Sequence, residues 1–209
     1  MNFIFKHPRE VLTLTGEHLW LVAISTLIAV AIGVPLGILL TRRPRMKTVV
    51  LGSTNVIQTI PSLALFGLLL PLPWLGARAD RLAIVALALY ALLPVVRNTF
   101  VGITGVDAPV REAALAMGLT SRQVLTMVEL PLAAPVILAG IRTAVVITIG
   151  VATIAAAIGA GGLGEFIFRG IAMVDNGVIL AGALPAALMA LAADASLGAL
   201  EKFLARRQH

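Results

Sequence analysis

Glu112, Ala113, Ala114, Gly118, Leu130 and Pro131 form the most telling constellation in this chain. No nucleophile stands beside a base among them, and a single carboxylate flanked by methyl side chains does not catalyse. The pattern offers instead a surface on which another protein can sit. Asp107 is placed to cap a short helix, Pro109 is tolerated in its first turn, and Glu112 near the start suits the helix dipole. Gly118 can end that helix. Ala113, Ala114 and Gly118 leave one side nearly bare, so a partner can approach the backbone while Glu112 stays free to pair with a cation. Thr120 and Gln123 stand at capping-box spacing for a second helix, expected to run to Leu130 before Pro131 and Pro135 disturb its ladder. Helix, tight turn and helix would make a rigid unit able to pass movement from a docked partner to attached segments. The plainer alternative is an amphipathic loop on a membrane surface; the full spacing favours docking.

Other chemistry is poorly supported. There are no paired carboxylates suited to acid–base work, no Ser-His-Asp arrangement and no metal-ligand spacing. Cysteine is absent, which excludes disulfides, thiolate metal sites and a cysteine nucleophile. No G-x-x-x-x-G-K-[ST] phosphate loop occurs, so the chain is expected to bind neither cofactor nor metal, and any ATP and Mg²⁺ belong to another polypeptide. His7, His18 and His209 lie near the termini and are expected at an interface or in solvent.

These residues must be positioned by membrane helices. Of 209 residues, 59% are hydrophobic and only 12% charged, with a mean hydropathy of +1.02; soluble domains carry roughly 45–50% apolar and about 25% charged residues. An all-α polytopic membrane protein is the consequence, because only closed helices or barrels satisfy the backbone in lipid. Five segments approach the ~20 residues needed to cross: about 19–40, 49–70, 82–96, 132–158 and 178–200. The first is read as a retained span and not a cleaved signal. Asn55, Gln58 and Pro61 interrupt the second, and Gly140, Ala144, Gly150 and Ala152 in the fourth permit close helix packing.

The formal charge of +6 does not point to nucleic acid, since the basic residues sit beside the spans. Arg42, Arg43, Arg45 and Lys47 follow the first span, Arg97, Arg111 and Arg122 the third, and Lys202, Arg206 and Arg207 the fifth. These regions, including the loop at about 107–131 and the C-terminus, are therefore expected in the cytoplasm. Only Arg78, Arg81 and Arg169 mark the opposite connections. Residues 1–18, with Lys6, Arg9, Glu10 and Glu17, are expected as an interfacial segment, 19–200 as the transmembrane domain and 201–209 as a cytoplasmic tail.

Polar groups inside spans are functional candidates because burying them is costly. Gln58, Asn98 and Asp194 stand out, with Pro61 and Pro94 expected to kink their spans; Gln58, Pro61, Asn98 and Asp194 are the candidates for a translocation path or gate. Asp194 is expected to pair within the bundle, while Arg97 and Arg142 are expected to snorkel to an interface. Gly159, Gly161, Gly162 and Gly164 form an outer glycine-rich segment. Without a preceding strand or following Lys it reads as a turn or close-packed re-entrant stretch, not a phosphate cradle.

The loop at 111–133, REAALAMGLTSRQVLTMVELPLA, resembles the coupling loop of permease subunits in ATP-binding-cassette importers. IQTIPSLALFGLLLP at 57–71, LALYALLPVVRNTFVGITGVD at 87–107 and GIRTAVVITIGVATIAAAIGAGGLGEFIFRGI at 140–171 look like the permeases of glycine betaine, carnitine and choline importers, and the likeness covers most of the chain. It implies a type I importer core of about five spans with a cytoplasmic coupling helix, in a bacterial or archaeal inner membrane. It also implies a cytoplasmic ATPase dimer, an extracytoplasmic substrate-binding protein, and a second permease copy or related permease. The coupling roles would fall on Glu112, Ala113, Ala114, Gly118, Leu130 and Pro131. The cargo implied is a quaternary ammonium osmoprotectant; another small zwitterion or an amino acid is the alternative.

Overall fold

Apolar length sets the frame of the molecule. The computed structural model describes residues 7–206, so Lys6, Arg207 and His209 lie outside the described residues. Along the chain come α1 (Pro8–Arg42), α2 (Pro44–Thr59), α3 (Ser62–Leu69), α4 (Pro73–Gly76), α5 (Ala79–Thr104), α6 (Ala108–Ala116) and α7 (Ser121–Val124). A π turn (Leu125–Glu129) then leads into α8 (Leu130–Ala155), a 3₁₀ turn (Ala156–Ile158), α9 (Gly164–Met173) and α10 (Asn176–Arg206). Four helical stretches among the described residues are long and apolar enough to cross a membrane, or up to five if α2 and α3 count as one broken span.

α1 has 35 residues, about 50 Å at 1.5 Å per residue, well beyond a ~30 Å hydrocarbon core. Its first turns therefore extend past the core. The separate interfacial segment expected over 1–18 is, in its described part, the start of α1. No proline falls between Pro8 at the helix start and Pro35, and partners elsewhere hold Glu10 and Glu17. Likewise residues 201–206 of the expected tail are the last turns of α10.

α5 is the central element. Leu82, Ala83, Ala86, Leu87, Ala91, Val95 and Val96 are fully buried along it. α1 packs on one flank through Gly33 and Gly37, four residues apart; a Cβ on Gly37 would stand 2.6 Å from Thr99 Cβ. α8 packs on the other flank through Gly140, where a Cβ would stand 2.7 Å from the Pro94 carbonyl oxygen. Lipid offers no hydrophobic force between helices, so such backbone approach and its van der Waals contact hold the bundle. α10 lies against α8, and α9 against α10.

The second span differs from the continuous helix expected over 49–70. Pro61 disfavours helical geometry at the residue before it, and here Ile60 is extended (φ −70°, ψ 127°). α2 ends there, and α3 departs at 103°. Pro61 is a corner, not a kink, and the buried Phe66 of α3 fixes the new direction against the core around α5. Pro94, by contrast, stays inside an unbroken α5.

Candidate functional site

Two regions of the bundle carry the candidates: the loop between α5 and α8 at the basic end, and a groove along α5 and α8 beside the α2–α3 corner. In the loop, α6 ends in a Schellman motif. Gly118 N–H donates to Leu115 O at 3.0 Å and Leu119 N–H to Ala114 O at 3.2 Å, with Gly118 at φ +83°, a left-handed conformation that glycine adopts without strain. Thr120 and Gln123 form the reciprocal capping box of α7: Gln123 N–H donates to Thr120 Oγ1, and Thr120 N–H to Gln123 Oε1 at 2.8 Å. Asp107 occupies the N-cap position of α6, but its side chain makes no capping bond.

Glu112, Ala113 and Gly118 are exposed, and no atom lies within 4 Å of where a Gly118 Cβ would be. Val110, Leu115 and Met117 are exposed beside them. Ala114 faces inward and is buried, so the bare surface consists of Ala113 and Gly118 without Ala114. The second helix does not stop at Leu130. Ser121–Ile158 is one helical stretch of 38 residues, because the π turn, in which Leu130 N–H donates to Leu125 O, absorbs the disturbance just before Pro131. Leu130 is half-buried and Pro131 exposed.

That π turn carries the charged centre of the loop. A wide turn inserts one residue and re-aims the next side chain; here it delivers Glu129, whose side chain is only 2% exposed. Arg42 at the end of α1 donates from Nη2 to Glu129 Oε2 at 2.7 Å, and Arg111 Nε of α6 lies 2.8 Å from Oε1. Arg111 Nη2 also donates to the carbonyls of Ile103 (3.1 Å) and Val106 (3.3 Å) at the end of α5. One carboxylate thus ties α6 to α1 and α8, and one guanidinium ties α6 to α5.

The groove follows from proline chemistry. Pro94 has no N–H for the Tyr90 carbonyl one turn earlier; Gln58 at the end of α2 supplies the donor, Nε2 to Tyr90 O at 2.9 Å. Tyr90 in turn donates its hydroxyl to Ile60 O at the corner. Asn98 donates to Pro94 O at 2.9 Å. Gln58, Pro61, Tyr90 and Ile147 line a cavity of about 370 Å³, and Gln58, Arg97, Asn98, Thr143 and Ile147 line one of about 300 Å³. The two cavities share Gln58 and Ile147 as lining and lie side by side along α5 and α8.

Asp194 lies outside this groove. On α10 it accepts two bonds from Arg142, at 2.6 Å from Nε and 3.0 Å from Nη2, and Glu201 accepts a third at 3.2 Å. Arg142 is therefore held sideways by α10, where snorkelling to an interface was expected. At the opposite end of the bundle, Gly162 donates its N–H to Glu17 at 3.0 Å, Arg169 pairs with Glu10 at 2.6 Å, and His18 Nε2 lies 3.1 Å from Ile149 O. His18 is fully buried, contrary to its expected exposure, because the glycine segment closes over it; a Cβ on Gly162 would stand 3.1 Å from His18 Nδ1. Gly159, Gly161 and Gly162 have φ between +78° and +82°, so this segment is a tight turn onto α1. Gly164 is buried at the start of α9.

Sequence reasoning overlooked Glu129 and Tyr90, the pairing of Arg42 with Glu129, and the separate contacts of Glu17 with Gly162 and of His18 with Ile149. Glu129 carried a usable signal, an acid beside an apolar span, but which arginines it meets depends on the fold. Among the described residues, no group of three or more His, Asp or Glu is placed to hold a metal ion.

Comparison with known proteins agrees with this arrangement. Residues 33–209 match the family model described as "Binding-protein-dependent transport system inner membrane component". The chain is 48% identical over 190 residues to the glycine betaine/carnitine/choline transport system permease protein OpuCD of Bacillus subtilis, covering 90% of this chain and 81% of that one. It is 45% identical over 206 residues to the osmoprotectant import permease protein OsmW of Salmonella typhimurium, covering 98% and 96%. Its fold is similar to a chain of the inward-facing MetNI methionine ABC transporter (TM-score 0.75, 25% identity, covering 95% and 98%).

Proposed function

Since this chain belongs to the family of inner membrane components of binding-protein-dependent transport systems, we propose that it carries quaternary ammonium osmoprotectants (glycine betaine, carnitine or choline) into the cell. It is a multi-pass inner-membrane permease, not an ATPase. An ATPase and a substrate-binding protein are its partners. In the proposed assembly the ATPase is a dimer that binds the ATP and Mg²⁺, a second copy or a related permease completes the path, and the lipid bilayer surrounds the pair. The basic end, with the α6 loop and the C-terminus, faces the cytoplasm; the glycine-rich turn faces outward, where the binding protein delivers cargo.

The mechanism rests on one observation, the buried Glu129 that joins α6 to α1 and α8. The exposed surface of Glu112, Ala113 and Gly118 seats the ATPase, and Leu130 and Pro131 pass its movement into α8. When the ATPases close on ATP, α6 is displaced. Because Arg111 and Glu129 bind it to three long helices, α1, α5 and α8 move as a body instead of the loop bending alone. The groove at Gln58, Pro61 and Asn98 then alternates in access, with the α2–α3 corner as its flexible wall. Asp194 holds Arg142 and keeps α10 in register with α8.

The cargo follows from the relatives' named substrates and the high identity. An amino acid is the second reading, favoured by the likeness to the methionine transporter. Uptake of labelled glycine betaine at high osmolarity tests the proposal, in cells lacking other osmoprotectant carriers and expressing the permease with its ATPase and binding protein. Uptake abolished by an inactive ATPase supports the reading; an assembled complex that takes up methionine but none of the three compounds overturns it.

A further inference from the structure

Arg97 is the charged side chain of the groove, and its setting differs from that of its neighbour across the helix pair. Arg142, on α8, is neutralised by Asp194 and Glu201. Thr143, the next residue, turns to the groove and faces Arg97 and Asn98. Arg97 itself is exposed, and no carboxylate within ion-pair distance is found for it among the described residues. An uncompensated guanidinium in a span is costly, and such a group marks a ligand or ion path.

The groove supplies what a zwitterion needs around that charge. Tyr90, Pro94 and Arg97 fall on one stripe of α5, and Thr143, Ile147 and Val151 on one stripe of α8. At 1.5 Å per residue each stripe runs about 10–12 Å, longer than a small betaine. At one end lie the Arg97 guanidinium fork and the second N–H of the Asn98 amide, donors for a carboxylate, beside the Thr143 hydroxyl, which itself donates to Ala139 O at 2.9 Å; toward the other lie Ile147, Val151 and the Tyr90 ring, which suit methyl groups on a cation. We propose that Arg97 receives the carboxylate of a zwitterionic cargo in the inner half of the path. Arginine fits this task because its planar fork meets a carboxylate with two parallel bonds. Choline has no carboxylate and passes without this contact. Arg97 is thus a selectivity residue within the permease, additional to the binding protein.

This inference rests on the osmoprotectant reading above, and one experiment separates the two. Wild type, R97K and R97Q are expressed with the same ATPase and binding protein, so the receptor's own preference cancels, and assembly is checked by co-purification of the ATPase. Labelled glycine betaine, carnitine and choline are the probes. Loss of a charged bidentate contact corresponds to at least about tenfold. R97Q and R97K are therefore expected to lower uptake of the two carboxylates tenfold or more, while choline uptake stays within twofold. Equal losses for all three cargoes, or full betaine uptake by R97K, would assign Arg97 to interface anchoring and overturn the inference. If wild type carries betaine but not choline, R97K decides alone. Wild-type uptake of none of the three overturns the cargo reading, and this inference with it.

Discussion

Replacing Glu129 with Gln keeps the shape of the side chain and removes the charge that two arginines share. Removing one member of a fully buried ion pair costs about 3–5 kcal/mol because the stranded charge stays uncompensated. Here the stranded groups are 45% and 31% exposed, so both rehydrate in part. Arg42, the more exposed, is assigned up to about 1 kcal/mol. Arg111 is more enclosed but keeps the carbonyls of Ile103 and Val106, so its share is about 2 kcal/mol. The total, about 3 kcal/mol, corresponds to roughly two orders of magnitude in an equilibrium. It falls on the link between α6 and the spans, not on the helix bundle, whose contacts through Gly33, Gly37 and Gly140 are untouched. Reconstituted with its ATPase and binding protein, E129Q is therefore expected to assemble and hydrolyse ATP, with cargo moved per ATP reduced at least tenfold. A double-mutant cycle between Glu129→Gln and Arg111→Gln, read by thermal unfolding of the complex, is expected to show a coupling above about 1 kcal/mol. A transport ratio within twofold of wild type, or a cycle additive to within about 0.5 kcal/mol, would refute the reasoning.

Three further outcomes are expected. Gly118→Trp both fills the open approach surface and forces a bulky residue to φ +83°, so the ATPase should no longer co-purify although the permease inserts; Gly118→Ala, which adds little bulk, should lose only about 1–2 kcal/mol of local stability. Glu112→Lys reverses an exposed charge without touching the bundle, and ATP-driven uptake should fall while the thermal unfolding temperature of the isolated permease stays unchanged. Asp194→Ala removes two of the three bonds that hold Arg142 and leaves Glu201 as its partner; because Asp194 and Arg142 are partly exposed and solvent screens such a pair, the unfolding temperature should fall only slightly, and Asp194→Glu should largely restore it.

The sequence by itself determined much of what depends on local order. Apolar runs of span length required helices in a membrane, and Thr120 with Gln123 announced a helix start that is present as a capping box. Gly118 declared its turn because few other residues tolerate its backbone angles. The tertiary structure decided what depends on distant partners. Pro61 could be read as a kink, but only the packing of Phe66 against the core turned the chain through 103°. Pro131 was expected to end a helix, yet a π turn let it continue and swung Glu129 inward, where Arg42 and Arg111 arrive from residues far away in sequence. Local sequence places His18 at an interface or in solvent because nothing near it along the chain could cover it; the Gly162 turn does so from far along the chain. Arg97 and Arg142 are the same residue type at comparable ends of two spans, and only the position of α10 neutralises one and leaves the other facing the groove. Periodicity and backbone preference act over a few residues, so they are legible along the chain. Charge pairing acts through space, so it is fixed only when the helices pack.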